Sequence, residues 1–482
     1  MTDRPLAHLD KTAHKTNGSL RPRNHAVPLP PGPKTRSICD GEPLETLEKS
    51  PVFMRLKAYL KKCKKRDKTS YITRFLAALA AVFVVFTSCS YAVALWYQHK
   101  QTGKQYQFGV TFIPSYANYL GVEPHETLRA LLGIGVRQFR LVSYWDSIET
   151  SPGTYDFAEL DWQFREIEQA GGTISLAVGL RQPRWPECHA PSFYDTKQPR
   201  EKWERQLLHF MAEVVHRYKD SASLTSYQLE NEFFNHFGEC YNFDRARLQD
   251  ELTLLHEGDP KHPVIISRSN NYAGYALRGP LGDINGISVY RRVWNTVGPR
   301  VYLSYPFPSW HYASLAGVQK LLKGQESVIH ELQMEPWPPD GKKIRDIDLA
   351  EQNKSFDAAR YRSTLVFAMQ TGIRHIDLWG AEYWYYRWKV LGDDSVWQEA
   401  LQTFGANDGR TVVSAKTLWP SGGKTVNTTC EGRSMLCMSL LNSQAAASNR
   451  VMRTSCASIS SCSTSVEIDS ASPTDLVRSA SS

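Results

Sequence analysis

The chain has 482 residues, with 57 Lys and Arg against 49 Asp and Glu and a formal net charge of +8. Its content of 41% hydrophobic and 11% aromatic residues is too apolar for a disordered protein and excludes collagen-like, coiled-coil and small disulfide-scaffold folds. The basic excess is uneven: residues 1–74 hold 17 Lys and Arg against 7 Asp and Glu, a net +10, whereas residues 75–482 hold 40 against 42, a net −2. The positive charge therefore marks one end of the chain.

Residues 1–74 are predicted to form a disordered, basic cytoplasmic region. Residues 1–50 are rich in Pro, polar and basic residues and have no sustained period. From Val52 to Leu60, apolar residues alternate with Arg and Lys, which indicates a short juxtamembrane helix on an anionic leaflet. Nucleic-acid binding is the competing explanation of the lysine run that follows, but no stacking or base-reading motif accompanies it. We therefore predict no nucleic-acid partner.

An uncharged stretch, FLAALAAVFVVFTSCSYAVALWY, extends over 23 residues from Phe75 to Tyr97. At ~1.5 Å per residue it is long enough to cross a hydrocarbon core ~30 Å thick. The run KKCKKRDK at 61–68 precedes it, whereas only Lys100 and Lys104 follow closely. The positive-inside rule thus predicts a single-pass anchor in the cell membrane, with a cytoplasmic N-terminus, Tyr97 in the outer interface and all later residues outside.

Three other interpretations of this stretch stay open. Ala92-Val93-Ala94 resembles a signal-peptide cleavage site, although the leader would far exceed ordinary signal length. Phe86-Thr87-Ser88-Cys89 resembles a lipoprotein box, with Phe where a smaller aliphatic residue is usual. A buried core helix is the third alternative, and the step in flanking charge argues against it.

Residues 105–405 alternate short apolar runs with amphipathic helical stretches over roughly 300 residues, the size of a (β/α)₈ barrel. Eight strand and helix units predict a parallel sheet with right-handed crossovers, and their number predicts closure into a (β/α)₈ TIM barrel. No GxGxxG or GxxxxGK[ST] loop opens a helix, so a nucleotide-binding open sheet is not favoured. The predicted strands are Phe108–Ile113, Gln138–Val142, Thr173–Val178, Ser226–Leu229, Val264–Ser267, Gly286–Val289, Ser327–His330 and His375–Leu378.

After residue 410 the alternation of short apolar runs and amphipathic helical stretches is lost. Residues 411–482 are rich in Ser, Thr and Ala and contain few aromatic residues. We predict a flexible low-complexity tail, and a shifted reading frame would produce the same change.

Carboxylates and aromatic residues follow the predicted strands, where a barrel of this kind carries its function. Glu232 follows strand four and Glu331 ends strand seven. Glycosidic bond cleavage needs one carboxyl group to protonate the leaving oxygen and a second to attack or stabilise the anomeric carbon. The two glutamates across a barrel mouth are the best candidates for this pair.

Four motifs carry a resemblance to the clan A glycoside hydrolases. Tyr227-Gln-Leu-Glu-Asn-Glu232 resembles their strand-four ending, and Val328-Ile-His-Glu331 is similar to their strand-seven ending. The segment 141–157, LVSYWDSIETSPGTYDF, resembles their strand-two exit, and Ile376-Asp-Leu-Trp379 their strand-eight end. The matches occur in the expected order along the whole predicted barrel. The resemblance implies a retaining hydrolase of a poly- or oligosaccharide, with a β-linked substrate favoured.

The same resemblance implies a role for each matching residue. Glu232 would be the general acid/base, Glu331 the nucleophile, and Asn231 a ligand of the sugar 2-hydroxyl. Arg140 and Tyr290 would hold the nucleophile charged and oriented. Trp379 would stack on the sugar ring, and further tryptophans would be available for outer subsites, namely Trp145, Trp185, Trp337 and Trp384.

Several alternatives to these assignments remain open. Glu335 is the rival to Glu331, although it lies four residues beyond the end of the apolar run, and Glu230 is explained as well by pairing with an Arg. Glu232 is followed by Phe233-Phe234 where many clan members carry Pro, which leaves the subfamily open. A catalytically inactive carbohydrate-binding protein and a transglycosylase are the alternative functions. No HExxH or Cys/His pattern indicates a metal, and no cofactor is predicted.

Cys188 follows strand three and Cys240 follows strand four, so their loops are expected to be neighbours. In an oxidising exterior we predict a disulfide between them. The remaining cysteines of the predicted tail have no assignable partners.

Overall fold

A computed structural model describes residues 51–269, 275, 277–296, 298–405, 452–457 and 461–466 of the chain. The chain divides into two compact units, one ending at Val82 and the other beginning at Phe83. The predicted tail of residues 1–50 lies outside the described residues, as does most of 411–482. Two segments of that tail, Met452–Ala457 and Ser461–Val466, pair as antiparallel strands, which the low-complexity prediction did not include.

Eight parallel strands close into a barrel in the second unit, which confirms the predicted TIM-barrel fold. Each strand pairs with its neighbours along the chain, and the last strand closes the barrel by pairing with the first. The strand that carries Glu331 extends farthest beyond its predicted bounds, by one residue at its start and three at its end. The strands are β1 Gln107–Thr111, β2 Gln138–Val142, β3 Thr173–Val178, β4 Leu224–Leu229, β5 Val264–Arg268, β6 Ile284–Val289, β7 Glu326–Gln333 and β8 His375–Trp379.

Amphipathic helices surround the barrel and bury one stripe each against it. In the helix Glu204–Tyr218, a stripe that includes Leu207, Phe210, Met211 and Val214 is buried. The helices are α1 Pro51–Gln101, α2 Pro114–Leu120, α3 Pro124–Gly133, α4 Trp145–Ile148, α5 Ala158–Gln169, α6 Glu204–Tyr218, α7 Arg245–Gly258, α8 Ser309–Lys323, α9 Leu349–Ser355, α10 Ala358–Gln370, α11 Ala381–Lys389 and α12 Ser395–Gly405. Short antiparallel hairpins follow β2 (Glu149–Ser151 with Thr154–Tyr155) and β6 (Arg292–Trp294 with Tyr302–Ser304).

Helix α1 begins well before the predicted anchor. Residues 51–74, predicted to be disordered apart from a short helix, are helical, because lysine and arginine are good helix formers and no proline interrupts the run after Pro51. The segment Ser70–Gln101 is long and apolar enough to cross a membrane. Within the first unit, its apolar side chains are exposed at Tyr71, Ile72, Phe75, Leu76, Leu79 and Val82.

The C-terminal turns of α1 belong to the barrel unit and pack on it. Ala94 and Tyr97 are 0% and 1% exposed, so the prediction that Tyr97 lies in the outer membrane interface is wrong. Gly317 of α8 permits this close approach, since a Cβ atom there would lie 2.7 Å from Val93 Cγ1. An uncharged run does not by itself distinguish burial in lipid from burial against protein, and here its last turns do the second.

Candidate active site

A cavity of about 910 Å³ opens at the C-terminal ends of the barrel strands. Side chains from the exits of all eight strands line it. Of the residues selected from the sequence, those lining this cavity are Asn231, Glu232, Tyr290, Glu331, Trp185, Trp337 and Trp379. The barrel therefore brings together residues separated by as much as 194 positions in the sequence, Trp185 and Trp379 being the extremes.

Glu331 is fixed by two donors. Its Oε1 accepts a hydrogen bond from Arg140 Nη2 at 3.0 Å, and its Oε2 accepts one from the Tyr290 hydroxyl at 2.6 Å. Arg140 is fully buried and Glu331 is 3% exposed. A charge-assisted pair in such surroundings is stronger than one at the surface. The predicted contacts of Arg140 and Tyr290 with the strand-seven glutamate are thus present.

Glu232 has a different environment. It is 4% exposed, and no described residue donates a hydrogen bond to its Oε1. Burial, and secondly the negative charge of Glu331, raise the pKa of Glu232 to about 7. Both causes disfavour the charged form, so this carboxyl group keeps its proton up to neutral pH. Hydrogen bonds from Ser288, Ser269 and Asn235 oppose this shift. The retained proton suits Glu232 to donate to a group that enters the cavity.

A chain of hydrogen bonds extends from Glu331 to Asn231. Arg140 Nη1 donates to Gln228 Oε1 at 3.1 Å, and Gln228 Nε2 donates to Asn231 Oδ1 at 3.0 Å. Asn231 Nδ2 then donates to Glu187 Oε2 at 3.0 Å. Both ends of the Asn231 amide are therefore fixed, with one N–H left for a ligand.

Glu187 was not selected from the sequence, although it lines the cavity. Burial raises its pKa to about 8, and the charge of Arg181 opposes this shift. Glu187 lies nine positions beyond the end of β3, next to Cys188, so a search of residues directly at strand ends does not find it. Arg184, His189 and Tyr116 line the cavity as well and were not selected as site residues.

Glu335, the rival nucleophile, occupies the part of the cavity wall formed by β1, β7 and β8. It accepts hydrogen bonds from the Tyr116 hydroxyl and Trp379 Nε1, each at 2.8 Å, and from Arg184 Nη1 at 3.2 Å. The Arg184 guanidinium lies 4.3 Å from the ring centroid of Trp379. Both oxygens of Glu335 are thus occupied by protein donors, which favours a binding or positioning role over attack. Trp379 presents its indole beside this ion pair.

The five candidate tryptophans divide into two groups. Trp185 and Trp337 are 66% and 41% exposed and, with Trp379, line the cavity. Trp145 and Trp384 are 0% exposed, and they do not line it. Trp145 donates to Glu149 and stacks on Tyr194, and Trp384 Nε1 donates to the Met334 carbonyl. The structure therefore contradicts the expectation that these two are available to sugar. Both lie on helices that follow the strands, on the side packed into the core.

Glu230 has a structural role. Its carboxylate accepts hydrogen bonds from both terminal nitrogens of Arg247 at 3.0 Å and from the Leu180 backbone N–H. This is the arginine pairing considered for it from the sequence. Among the described residues, four of the five non-glycine positions with positive φ lie at this part of the cavity, namely Arg184, Glu187, Glu230 and Glu232. Such conformations persist where surrounding contacts hold them, and they are often found at functional sites.

A disulfide between Cys188 and Cys240 joins the loops that follow β3 and β4, with their Cα atoms 5.0 Å apart. This confirms the predicted pairing. The two loops are also joined by the Glu239 N–H, which donates to the Pro186 carbonyl at 3.0 Å. The disulfide thus fixes the loop that carries Glu187 against the loop that carries Asn231 and Glu232. No group of three metal-ligating side chains occurs among the described residues.

No protein-family model matches the chain, and no curated protein matches it. Solved structures do match. An exo-β-1,4-mannosidase from Opitutaceae bacterium strain TAV5 is 13% identical with a TM-score of 0.38, over 57% of this chain and 51% of that one. A GH5_18 enzyme from Streptomyces cattleya is 12% identical (TM-score 0.41, 57% and 70%), and the GH53 catalytic domain from Ignisphaera aggregans is 14% identical (0.40, 57% and 85%). The chain spans about half the length of the mannosidase that it matches.

Proposed function

We propose that the chain hydrolyses O-glycosidic bonds of a poly- or oligosaccharide by a retaining, two-step displacement. The observation that carries the proposal is the difference between two glutamates that line one cavity. Glu331 accepts hydrogen bonds from Arg140 and Tyr290, whereas Glu232 has a free oxygen and a pKa raised to about 7 by burial and by the charge of Glu331. One carboxylate and one carboxylic acid are what this chemistry requires.

In the first step, Glu331 attacks the anomeric carbon and the glycosidic C–O bond breaks. The leaving oxygen takes the proton of Glu232, and a glycosyl ester of Glu331 forms. In the second step, the Glu232 carboxylate removes a proton from water, whose oxygen attacks the same carbon and releases Glu331. Asn231 offers its free N–H to the sugar, and Trp185, Trp337 and Trp379 offer apolar ring surface.

The test is a panel of aryl glycosides assayed on the protein and on Glu232→Gln and Glu331→Gln. Glu331→Gln should lose on the order of 10⁴-fold in kcat on every substrate, because the attacking carboxylate is gone. Glu232→Gln should lose about 10²-fold or more in kcat/KM on glycosides with poor leaving groups and far less in kcat/KM on dinitrophenyl glycosides, whose oxygen leaves without a proton in the first step. Glu326→Gln, at the exposed start of β7, is the matched control.

The pH profile separates the two roles further. With poor leaving groups, activity should fall as pH rises above about 7, because Glu232 must enter the first step protonated. Activity on dinitrophenyl glycosides should fall less as pH rises above about 7, because their leaving oxygen needs no proton. Full activity in either glutamine variant would reject the assigned pair. Binding of oligosaccharide without turnover would instead favour an inactive carbohydrate-binding protein, and transfer to added sugar in place of water would identify a transglycosylase.

A further inference from the structure

A second cavity lies among the connections that follow β6 and β7. Its volume is about 680 Å³, against about 910 Å³ for the cavity of the candidate active site. The hairpin after β6, the loop after β7 and helix α9 form its walls, and neither Glu232 nor Glu331 lines it. We call it the outer pocket, and its lining residues include Arg292, Trp294, Tyr302, Pro339, Asp340 and Asp346.

The hairpin after β6 separates the outer pocket from the active-site cavity. Val293 lines the active-site cavity, whereas its two neighbours, Arg292 and Trp294, line the outer pocket. Successive side chains of a strand point to opposite faces. Tyr302 pairs with Trp294 across the hairpin and lies on the same face, with the two ring centroids 4.9 Å apart. The two cavities therefore lie on opposite faces of one two-stranded ribbon.

The loop after β7 joins the two cavities at their rim. Trp337 lines the active-site cavity, Asp340 lines the outer pocket, and Lys342 lines both. Trp337 packs edge-to-face on Tyr290, with ring centroids 5.6 Å apart, and the Tyr290 hydroxyl donates to Glu331. The path from the candidate nucleophile past Trp337 thus ends at the rim that the outer pocket shares.

Hydrogen bonds hold the hairpin in place against β7. The backbone N–H groups of Arg291 and Arg292 donate to Gln333 Oε1 at 2.8 and 2.9 Å. Gln333 Nε2 donates in return to the Arg292 carbonyl at 2.8 Å, and Gln333 lies two residues beyond the candidate nucleophile. On the other strand, the Tyr302 hydroxyl donates to Glu351 Oε1 of α9 at 2.9 Å. The outer pocket is therefore preformed, at a fixed position relative to the reacting groups.

The lining of the outer pocket suits an uncharged sugar. Trp294 is half-buried, and its Nε1 donates to Asp340 Oδ1 at 2.8 Å, which fixes an apolar ring beside polar groups. Lys342 and Asp346 are exposed, and no described residue pairs with their side chains, so both are available to hydroxyl groups. The pocket has no net charge, because four basic and four acidic residues line it, namely Arg292, Arg300, Lys342 and Lys354 with Asp340, Asp346, Asp348 and Glu351.

From these observations we propose that the outer pocket binds a distal unit of the glycan whose nearer units enter the active-site cavity. The substrate is then an uncharged chain of several sugars, and this conclusion rests on the proposed glycoside hydrolysis. Tyr290 and Trp294 are four residues apart, and an extended chain covers at most ~3.6 Å per residue, so their Cα atoms are no more than ~14 Å apart. A chain held at both points binds more tightly than its fragments, since its second contact is intramolecular.

The test measures binding by isothermal titration calorimetry on the full chain in detergent, with Glu331→Gln present so that the glycan stays uncleaved. The probes are β-linked hexasaccharides of glucose, mannose and galactose and the matching disaccharides. Adding Trp294→Ala should raise the Kd of the best hexasaccharide at least about fivefold, because a ring surface is lost. Adding Asp346→Ala should raise it about threefold, the effect of one lost hydrogen bond. The Kd of the disaccharide should change in neither variant.

Two features of the design exclude a general loss of structure. Asp346→Ala removes no contact with a described side chain, so misfolding does not explain a weaker affinity there. Leu303→Ala is the matched control, since Leu303 lies in the same hairpin, is exposed and lines neither cavity. It should leave the Kd of both sugars unchanged.

The outcomes separate the outer pocket from the proposed hydrolysis. An unchanged hexasaccharide Kd in both variants, an equal loss for the two sugar lengths, or no binding of any hexasaccharide would overturn the outer pocket as a glycan site. Hydrolysis of aryl glycosides alongside such a result would leave the hydrolase standing. Conversely, inactivity of the unsubstituted protein on every glycoside, with the length-dependent loss in Trp294→Ala intact, would reject the hydrolase and leave the glycan site.

Discussion

Glu232 and Glu331 have the same side chain, and their surroundings alone give them different chemistry. Arg140 and Tyr290 both donate to Glu331, so a negative charge there has two partners. Glu232 is equally buried but has a free oxygen, and the charge of Glu331 adds to the cost of ionising it. The charge of Glu331 therefore helps to set the protonation state of Glu232, as expected for carboxyl groups that share a site.

The sequence indicated the residues that follow a strand closely and two loop tryptophans, Trp185 and Trp337, but it missed polar residues that loop packing brings to the cavity. Glu331 and Asn231 follow apolar runs without a gap, and a barrel necessarily gathers such positions at one face. Glu187 reaches the cavity only because its loop is fastened to the next one by Cys188 and Cys240. Trp145 shows the opposite error. It follows a strand closely but begins a short helix whose side toward Phe210 is core.

Glu187 is expected to act by positioning Asn231. In Glu187→Ala the Asn231 amide loses the acceptor of its Nδ2 donor, so we expect kcat to fall by about tenfold, the effect of a lost hydrogen bond of roughly 1.4 kcal/mol. Glu187→Gln should retain most activity at pH 7, because burial raises the pKa of Glu187 to about 8 and the native side chain is neutral there. Steady-state kinetics on the best aryl glycoside measures both.

A 2-deoxy aryl glycoside distinguishes positioning from a general loss of structure. If Asn231 binds the 2-hydroxyl, Glu187→Ala should lose much less activity on the 2-deoxy sugar than on the parent sugar. An equal loss on both substrates, or a fall in melting temperature that matches the fall in rate, would contradict the positioning role.

At the scale of elements, helix α1 has exposed apolar side chains in one part and buried ones in another. Its apolar side chains from Tyr71 to Val82 are exposed, whereas Ala94 and Tyr97 are buried against the barrel. Both parts are largely apolar, so hydropathy located the run but not the point where its side chains become buried against the barrel. The strands were predictable to within a few residues, because short apolar runs between amphipathic helices are typical of barrel strands. The burial of the last turns of α1 was not predictable, because it depends on packing with α8 and α10.

The contact between α1 and α8 can be tested at Gly317. A Cβ there would lie 2.7 Å from Val93 Cγ1 and 3.1 Å from the Val93 carbonyl oxygen, so Gly317→Ala should push the helices apart and destabilise the domain by about 1–3 kcal/mol. Unfolding in denaturant, followed by circular dichroism in detergent, measures the change.

Gly133 is the matched control, since it is also helical and a Cβ there meets nothing within 4 Å. Gly133→Ala should be stabilising by about 0.5–1 kcal/mol through helix propensity. If α1 did not pack on α8 in the folded protein, Gly317→Ala would behave like Gly133→Ala, and this result would contradict the packing.

For the whole molecule, the charge distribution predicts on which side of a membrane the N-terminus and the barrel lie. The net +10 of residues 1–74 precedes the apolar run, and the later residues sum to −2. Positive charge near the end of a membrane helix favours the cytoplasmic side. The charge at the N-terminus therefore predicts the side of the membrane on which the barrel and its cavity lie.

Glycosylation mapping in a microsomal translation system tests this topology. The sequence has acceptor sites at Asn17-Gly-Ser and Asn427-Thr-Thr on the two sides of the run, and a third at Asn353-Lys-Ser, which is replaced by Gln in all variants. With the N-terminus cytoplasmic, a glycan is added at Asn427 and none at Asn17, so Asn427→Gln removes the mass shift and Asn17→Gln does not. A glycan at Asn17 would contradict the predicted topology.

The positive charge is also predicted to cause this orientation, and that is tested by removing it. Changing Lys61, Lys62, Lys64 and Lys65 to Gln lowers the net charge before the run from +10 to +6 and takes it from the positions nearest the membrane. A fraction of the chains should then insert with the opposite orientation and carry a glycan at Asn17, because residues close to the run have the largest effect. The control changes Lys100 and Lys104 to Gln, which removes charge from the other flank and should leave Asn17 unmodified. An unchanged glycan pattern in the four-lysine variant would show that the mass of the following domain, rather than the flanking charge, fixes the orientation.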